Sequence, residues 1–402
     1  MQPLKGIRVL DLSRLLPGPL ASLVLADMGA EVDKVEDAAG GDYLRLMPPH
    51  VGGGAEATSS AFLALNRNKE SITADVDTDE GAQIVRDLAV RADVIVESNR
   101  SGSMDKRGLG FEQVRQANDR IVYCSISGFG ATGPHKDRPG YDTIVQAASG
   151  VMSINGEPDS PPSRVGASII DQGTGVWAAL GVLAALRKRD LDGEAQLVQT
   201  SLMETGVSWM GYYAANFLAS GIPATPMGSR HALMAPYEGF LTKDGWIFLA
   251  ALNDALFRRL CAALDAPQIA EDPHYATNAQ RIERRDALHD SLEEILRGRT
   301  AKEWEQMLVG KGVPCSCVQS IDQVLADPQV EALGIVRAWP HGDVADLRLV
   351  DHPISYNGTR SFRHDPPPNL GEHSRSVLAG LGYSDERIER LAGPAHDDPE
   401  TS

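Results

Sequence analysis

The amino-terminal segment has the order strand, loop, helix, strand, and this order restricts the possible fold more than any other feature. Residues 7–12 and 32–36 are short apolar runs typical of buried strands. Between them, residues 18–28 have helical periodicity, and Gly29 follows where a left-handed capping residue is expected. Strands joined by a helix lie parallel in one sheet, so the sequence predicts a parallel α/β sheet.

Further segments repeat this alternation of strand and helix. The pattern predicts helices over 78–91, 171–189 and 202–218, and strands over 92–97, 121–126 and 196–201. The loop after the first strand, residues 13–19, lacks the G-x-G-x-x-G fingerprint. The alternation of strands and helices makes the predicted topology Rossmann-like. Because the fingerprint is absent, neither a nicotinamide nor a flavin cofactor is expected.

A change of pattern in the second half indicates a second domain. Residues 221–236 contain prolines and glycines typical of a linker, and residues 237–252 resemble a small sheet followed by amphipathic helices, among them 284–296 and 301–309. Another connector begins at Gly334, and the last predicted helix covers 374–381. We expect a discontinuous large α/β domain (1–220 with 334–392), a smaller α+β domain (221–333) and a disordered acidic tail (393–402).

Composition excludes several classes of protein. The net charge of −17 over 402 residues argues against a nucleic-acid partner and against an anionic membrane surface. The four cysteines show no disulfide or zinc-site spacing, and no histidine pair has a metal-ligand spacing, so no metal is expected. With no signal peptide and no apolar stretch of about 18 residues, the expected location is the cytoplasm.

Asp171 is the residue most indicative of chemistry. It stands at the start of the predicted helix 171–189, which is rich in glycine and alanine. The positive end of the helix dipole should keep this acid ionised as a hydrogen-bond acceptor or a nucleophile. The structural alternative is that Asp171 is an ordinary N-cap residue.

Several short motifs occur in one order along the chain. They are LNRNK at 65–69, SGFGATGP at 127–134, DRPGYD at 137–142, the Asp171 segment, APY at 235–237, GVPC at 312–315 and PPPNLGEH at 366–373. Over roughly residues 3 to 385 the chain resembles the class III CoA-transferases, a family that also contains α-methylacyl-CoA racemase. The resemblance implies an open CoA-binding α/β domain, a smaller α+β domain, and a homodimer of two chains threaded through each other like linked rings.

The resemblance also implies a function and a set of site residues. Asp171 matches the family nucleophile, which attacks an acyl-CoA thioester so that CoA passes to a free carboxylic acid through covalent aspartyl intermediates. Backbone N–H groups at the helix start or in the loop Gly228-Ser229-Arg230 are expected to hold the oxyanion. The matched CoA-binding positions are Leu15, Leu16, Lys34, Arg67, Asn99, Lys106 and Tyr141. His231 is a candidate for recognising the acceptor carboxylate, with an ordinary loop histidine as the alternative.

Two other functions remain as alternatives, a racemase or isomerase of the same fold and a catalytically silent CoA-binding paralogue. Related racemases have a histidine base where this chain has Tyr141, and the ordinary pKa of tyrosine, about 10, suits it poorly as a base at neutral pH. Asp254 matches the acidic residue that the racemase has in its small domain. Leu16 and the loop at 228–231 depart from the formyl-CoA transferase pattern, so neither formate nor oxalate is an expected substrate.

Overall fold

Strands and helices alternate along the chain. The structure is a computed structural model that describes residues 2–53, 57–342 and 344–392. Its strands are β1 (Arg8–Asp11), β2 (Glu31–Glu36), β3 (His50–Val51), β4 (Thr58–Ser59), β5 (Glu70–Thr73), β6 (Val94–Glu97), β7 (Val122–Ser127), β8 (Gln196–Ser201), β9 (Tyr237–Leu241), β10 (Trp246–Ala250), β11 (Cys315–Cys317), β12 (Val336–Ala338) and β13 (Arg348–Val350).

The helices follow the same order of the chain. They are α1 (Pro17–Asp27), α2 (Ser60–Asn66), α3 (Asp79–Arg91), α4 (Ser103–Lys106), α5 (Phe111–Ala117), α6 (Asp142–Ala148), α7 (Val151–Ile154), α8 (Ile169–Asp192), α9 (Leu202–Ser220), α10 (Asp254–Ala263), α11 (Pro267–Glu271), α12 (Asn278–Glu283), α13 (Arg285–Leu296), α14 (Ala301–Gly310), α15 (Ile321–Leu325), α16 (Pro328–Leu333), α17 (Ser374–Gly380) and α18 (Asp385–Ala392). The last helix, α18, was not predicted.

A six-stranded parallel sheet in the order β5-β2-β1-β6-β7-β8 confirms the predicted α/β class. In β1 the neighbouring residues Val9 and Leu10 are both 1% exposed, because one faces α1 and α8 while the other faces α3 and α17. The carboxyl ends of these strands lie at one edge, where ligands bind in open α/β sheets.

The described residues divide into two compact units. Unit 1 comprises described residues of Met1–Val151, Val165–Ala214 and Glu331–Ser402, and unit 2 comprises Met152–Arg164 and Ala215–Val330. The predicted division differs from this one chiefly at Met152–Arg164, which the structure groups with unit 2. The predicted disordered tail, 393–402, lies outside the described residues.

The carboxyl-terminal segment returns to unit 1. The backbone N–H of Thr73 in β5 donates to the Ser374 hydroxyl of α17 at 3.0 Å. Buried Arg67 pairs with Asp27 at 2.6 Å and with Asp351 at 3.4 Å. The fold of unit 1 is therefore completed only by residues that follow unit 2 in the sequence.

Unit 2 contains an antiparallel sheet in the order β11-β10-β9. Its core includes Phe240, Ile247, Leu260, Leu292 and Trp304. Strands β9 and β10 fall within the predicted sheet at 237–252. Strand β11 was not predicted, since three residues with alternating exposure produce little periodicity.

Helix α8 alone, among the described helices, is long and apolar enough to cross a membrane. This differs from the sequence expectation. Half of its apolar window is buried in the protein, and Ala178, Ala179 and Val182 pack into the core against the sheet. A core helix of a globular unit has the same composition, so α8 is assigned to the core.

Candidate active site

Asp171 lies in the first turn of α8 and its side chain is partly buried. The N-cap residue of this helix is Ser168, so the alternative that Asp171 is an N-cap is wrong. The Ser168 side chain makes no capping hydrogen bond. Instead, Asp142 Oδ2, at the start of α6, accepts from the backbone N–H of Ile170 at 2.8 Å and of Asp171 at 3.2 Å.

The pKa of Asp171 is raised to about 7, first by burial and second by the neighbouring Asp142 carboxylate. The expectation that the helix dipole keeps this acid ionised is therefore corrected. The N–H groups that would have stabilised its charge are occupied by Asp142. At neutral pH, Asp171 is divided between its protonated and ionised forms.

The same hydrogen bonds correct the expected oxyanion site at the helix start. The N–H of Ile169 donates to the Ala167 carbonyl at 2.7 Å, and the next two N–H groups donate to Asp142. None of these three donors is free for an oxyanion.

Gln146 extends this arrangement from one turn further along α6. Its Nε2 donates to Asp142 Oδ1 at 2.6 Å, and its Oε1 accepts from the backbone N–H of Val165 at 2.8 Å. Asp142 and Gln146 are both buried. Helix α6 therefore holds the segment 165–171, which leads into α8, by hydrogen bonds near the start and near the end of that segment.

A close approach of α8 to α1 explains one of the small residues in α8. A Cβ on Gly175 would lie 2.7 Å from the Pro17 carbonyl oxygen and 3.0 Å from the Leu20 side chain. Only glycine allows this approach. The helix that carries Asp171 thus lies directly against the end of the loop that follows β1.

Lys34 lies beneath this loop and is fully buried. Its ammonium donates to the Ser13 carbonyl at 2.9 Å and pairs with Asp42 Oδ2 at 3.0 Å. Asp42 Oδ1 accepts from the N–H of Leu15, whose φ of 64° is unusual for a residue with a side chain. The expectation that Lys34 binds a phosphate directly is corrected. Its side chain is buried under the loop and supports the backbone at Leu15 and Leu16.

Arg67 is also enclosed. Besides its two aspartate partners, it donates to the Val350 carbonyl at 3.0 Å and lies over the Trp339 ring at 5.0 Å. This guanidinium joins the carboxyl-terminal segment to the rest of unit 1 and does not face a ligand. The predicted phosphate contact by Arg67 is therefore corrected as well.

Lys106 remains available to bind a phosphate, since its side chain is exposed at the end of α4. It lines a cleft together with Arg100, Ser103 and Arg107, and the last of these pairs with Asp77 at 2.7 Å. The sequence analysis missed Arg100, although its place three residues after the end of β6 was a usable signal. Asp77 and Asp137 also line this cleft, so Lys106 and Arg100 are the cations in it that could meet a phosphate.

The side chains of Asn99 and Tyr141 also reach the protein surface, where a ligand could contact them. Asn99 lines a second cleft with Arg14, beyond the ends of β1 and β6, and its backbone N–H donates to the Glu97 carboxylate at 2.7 Å. Tyr141 immediately precedes α6, makes no capping hydrogen bond through its side chain, and is 62% exposed.

In unit 2, the loop 228–231 is largely occupied by internal bonds. The N–H of Gly228 donates to the Gly156 carbonyl at 2.8 Å, and that of Arg230 donates to the Met227 carbonyl at 3.1 Å. Within the described residues, this leaves the Ser229 N–H as the free backbone donor among the three expected to hold an oxyanion. The Arg230 side chain pairs with Glu238 at 2.9 Å, so it is structural.

His231 is held in a defined orientation. Its ring stacks on Tyr237 with 5.0 Å between centroids, and its Nδ1 accepts from the N–H of Leu233 at 3.1 Å. In the neutral ring, the proton therefore resides on Nε2. His231 thus offers one oriented N–H donor.

Comparisons with known proteins give the family. The family model described as CoA-transferase family III matches residues 4–374. The chain belongs to CoA-transferase family III. It is therefore an enzyme, and it moves CoA from an acyl-CoA thioester to a free carboxylic acid.

Named relatives of this CoA-transferase match over nearly the whole chain. The succinate–glutarate CoA-transferase of Agrobacterium fabrum is 40% identical over 400 residues, 98% of each chain. The human succinyl-CoA:glutarate CoA-transferase is 35% identical, covering 100% of this chain and 91% of its own. A solved CAIB/BAIF family protein from Brucella suis has a TM-score of 0.86 at 35% identity, covering 94% of this chain and 99% of that chain.

The geometry of this CoA-transferase also bears on the racemase alternative. Asp142 cannot serve as the second base in place of Tyr141, because its buried carboxylate already accepts three hydrogen bonds. Asp254, the other matched acidic residue, pairs with Arg281 at 2.8 Å.

One group of potential metal ligands exists among the described residues of the transferase, formed by Asp27, Asp351 and His352. Both ring nitrogens of His352 are engaged, one by the N–H of Ile354 and the other by the Arg360 carbonyl. Both carboxylates pair with Arg67. These contacts describe an internal ion-pair cluster.

Proposed function

We propose that Asp171 is the nucleophile of this CoA-transferase. Its carboxylate oxygen attacks the thioester carbonyl carbon, the carbon–sulfur bond breaks, and CoA thiolate leaves an acyl-aspartyl anhydride. The thiolate then attacks the Asp171 carbonyl, which releases the donor acid and forms an aspartyl-CoA thioester. The acceptor carboxylate repeats the two steps in reverse order, so each bond formed balances one broken.

The observation that carries this proposal is the environment of Asp171. A carboxylate whose pKa is raised to about 7 is a stronger nucleophile than an ordinary aspartate, yet it is still substantially ionised at neutral pH. Perturbed carboxyl groups of this kind are more frequent at functional sites than elsewhere. No cation pairs with Asp171 among the described residues, so its charge is free to react.

Trapping provides the test of the nucleophile. After incubation with an acyl-CoA, hydroxylamine should label a peptide that contains Asp171. Asp171→Ala should lower turnover by about three or more orders of magnitude while CoA affinity changes only a few-fold, because the group acts in the chemical step. Labelling of another residue, or normal turnover by this variant, would contradict the assignment.

We further propose that the physiological acids are short dicarboxylates. The support is the naming of relatives that match nearly the whole chain as enzymes of succinate, succinyl-CoA and glutarate. A second carboxylate requires a donor, and the oriented Nε2–H of His231 is the candidate. A panel of acyl-CoAs and acids followed by mass spectrometry tests this, with butyrate and valerate as matched monocarboxylates. Equal rates for both series would refute the dicarboxylate preference.

The variant His231→Ala gives a second test of substrate class. Losing one hydrogen bond to a charged group should raise KM for the dicarboxylate by about ten-fold or more and leave KM for a monocarboxylate nearly unchanged. The control is Ser229→Ala in the same loop, because that hydroxyl accepts from the Gly239 N–H at 3.0 Å and so has a structural contact of its own. An equal effect of His231→Ala on both acids would assign the histidine a structural role.

For CoA itself, we propose that Lys106 and Arg100 bind phosphate groups. The backbone at Leu15 and Leu16, with Asn99, lines the nucleotide and the thioester end, and Tyr141 lies along the pantetheine arm. The exposure of the two cations in one cleft supports their assignment. Lys106→Met should weaken the binding of CoA more than the binding of 3′-dephospho-CoA or of pantetheine thioesters. Equal weakening of all three would mean that the phosphates bind elsewhere.

We propose that the protein is a homodimer with interlocked chains. An apolar surface on unit 1 supports the dimer. Its residues are Val176, Trp177 and Leu180 of α8, exposed by 55, 45 and 53%, and Ile144 of α6, exposed by 49%. Large apolar side chains exposed on neighbouring helices are a feature of protein–protein interfaces.

A further inference from the structure

We propose that Asp142 is a positioning residue for CoA transfer, which acts through the first turn of α8 on Asp171, and that Gln146 completes its function. The two side chains are called here the Asp142–Gln146 clamp. This inference rests on the proposed role of Asp171 as the nucleophile. It assigns a function to two buried polar residues whose described hydrogen bonds are made to the protein itself.

The orientation of the first turn of α8 depends on a side chain from another helix. Asp142 Oδ2 accepts from two consecutive backbone N–H groups, those of Ile170 and Asp171. The helix has no side-chain cap of its own, since Ser168 makes no such bond. Loss of the Asp142 oxygen would leave two donors of a partly buried turn without an acceptor, and the turn that carries Asp171 would shift.

Gln146 fixes the arrangement of hydrogen bonds around the Asp142 carboxylate. The Val165 N–H can only donate, so the oxygen of the Gln146 amide must face Val165 and its nitrogen must face Asp142. Asp142 therefore meets three N–H donors and no acceptor. The Asp142 carboxylate accepts from all three, and its charge lies beside Asp171, where it is the second cause of the raised pKa of that residue.

No other described element packed against α8 offers a comparable charge. From α9, the Glu204 carboxylate accepts from the Ser201 hydroxyl at 2.6 Å. From α1, Asp27 is paired with Arg67 at the far end of the helix. Strands β7 and β8 contribute no Asp, Glu, Lys or Arg, and their Tyr123 and Cys124 have pKa values raised by burial.

The clamp thus has two separable effects on Asp171, one geometric and one electrostatic. It fixes the backbone from which the carboxylate projects, and its charge opposes ionisation of the nucleophile, which makes the ionised form more basic. A merely structural residue would produce the first effect without the second.

The experiment separates the two effects with three variants of the full-length enzyme. Asp142→Asn keeps an oxygen for α8, but its new NH₂ group faces the NH₂ group of Gln146. In Asp142→Asn/Gln146→Glu, the new carboxylate at position 146 accepts from both the new amide at position 142 and the Val165 N–H. The bonds to α8, between positions 142 and 146, and from the Val165 N–H are then restored, with the charge displaced by one turn. Only the long bond from position 146 to the Val165 carbonyl, 3.4 Å in the parent enzyme, is lost. The control Asp190→Asn removes an equal charge near the other end of α8, where the side chain is exposed.

The measured quantity is kcat/KM for the acyl-CoA donor between pH 5 and 9, with hydroxylamine labelling as the second readout. For Asp142→Asn we expect a fall of about 10- to 100-fold on the high-pH plateau from misplacement of Asp171. We also expect the acidic limb to move down by about half a pH unit or more, because a negative charge is lost. The double variant should regain most of the rate with the limb still displaced, and Asp190→Asn should match the parent enzyme.

An Asp142→Asn enzyme with parental rate and limb would overturn the inference. So would a slow double variant with an unshifted limb, since that pattern means loss of structure alone. Neither result touches the proposed nucleophile, which fails only if Asp171→Ala retains activity or the label lies elsewhere. If Asp142→Asn does not fold, the double variant carries the test.

Discussion

At the scale of single residues, Asp171 combines two requirements that oppose each other. Attack on a thioester requires an ionised carboxylate, and burial beside Asp142 disfavours that form. The folded protein therefore binds a proton at this position more tightly than the unfolded chain does. The environment that makes Asp171 a more reactive nucleophile therefore lowers the free energy of unfolding.

A first prediction concerns the pH dependence of stability. The folded pKa of Asp171 lies above its unfolded value, so this group destabilises the native state increasingly as pH rises from about 4 to about 7. Asp171→Asn should therefore raise the free energy of unfolding at pH 8, by on the order of 1 kcal/mol. The gain should shrink toward pH 4. Thermal unfolding across this pH range is the measurement, and a gain independent of pH would contradict the raised pKa.

Sequence reasoning singled out Asp171 as a candidate and placed it at a helix start, but it did not reveal the environment of this residue. The motif and the helical pattern located the residue at the start of α8. Nothing in the local sequence indicates that Asp142, 29 residues earlier, supplies the helix cap. Lys34 illustrates the same limit, since a lysine within a strand has the same sequence pattern whether it binds a phosphate or pairs with a buried aspartate. Long-range contacts of this kind are fixed only by the tertiary fold.

At the scale of elements, the loop after β1 is held from below by charged side chains. Lys34 binds its Ser13 carbonyl, and Asp42 binds its Leu15 N–H. Lys69, whose pKa burial lowers to about 8, pairs with Asp11 at 3.1 Å beside them. The shape of this loop therefore depends on buried ion pairs.

A second prediction follows for this loop. Lys34→Met should destabilise the protein by about 3 kcal/mol or more, because Asp42 is left buried without its cation. Lys34→Met/Asp42→Asn should recover much of that loss. Both should weaken CoA and 3′-dephospho-CoA by the same factor, unlike Lys106→Met. Selective loss of CoA binding in the double variant would restore Lys34 as a phosphate ligand.

A third prediction concerns the contact between α8 and α1. Gly175→Ala should destabilise by about 1 to 3 kcal/mol, since the new Cβ meets a backbone carbonyl that cannot move away. Gly181→Ala on the same helix is the matched control. There the new Cβ would meet the Val198 side chain at 2.7 Å, which can adjust, so its cost should be smaller. Urea unfolding compares the two, and equal costs would show that the carbonyl contact is not decisive.

The pattern of elements was largely predictable because it depends on local periodicity. The strands at 7–12 and 196–201 and the helices around them were found to within a few residues. Helix α18 was missed although Ile388 and Leu391 stand at helical spacing and pack on the core, because the helix has only eight residues and five of them are charged. The grouping of Met152–Arg164 with unit 2 depends on tertiary contacts, which a periodic pattern does not contain.

At the scale of the whole molecule, the apolar surface on α6 and α8 is the feature that supports the proposed dimer. The fourth prediction follows from the interlocked dimer proposed above. Chains linked in that way would separate only on unfolding, so the enzyme should remain dimeric at nanomolar concentration in sedimentation experiments. Trp177→Glu should prevent correct assembly and yield monomeric or aggregated protein. Leu191→Glu, about 21 Å further along α8, should assemble normally. Recovery of a stable folded Trp177→Glu dimer would place the interface elsewhere.

The return of the carboxyl-terminal segment to unit 1 has a consequence for biosynthesis. Arg67 emerges from the ribosome early, but its partner Asp351 follows only after all of unit 2. At about 5 to 20 residues per second, translation from residue 214 to residue 351 takes roughly 7 to 27 seconds. Throughout that interval the nascent amino-terminal half exposes a buried arginine site and an uncovered edge at β5. Chaperone occupancy on stalled nascent chains should therefore persist until the last 50 or so codons are read.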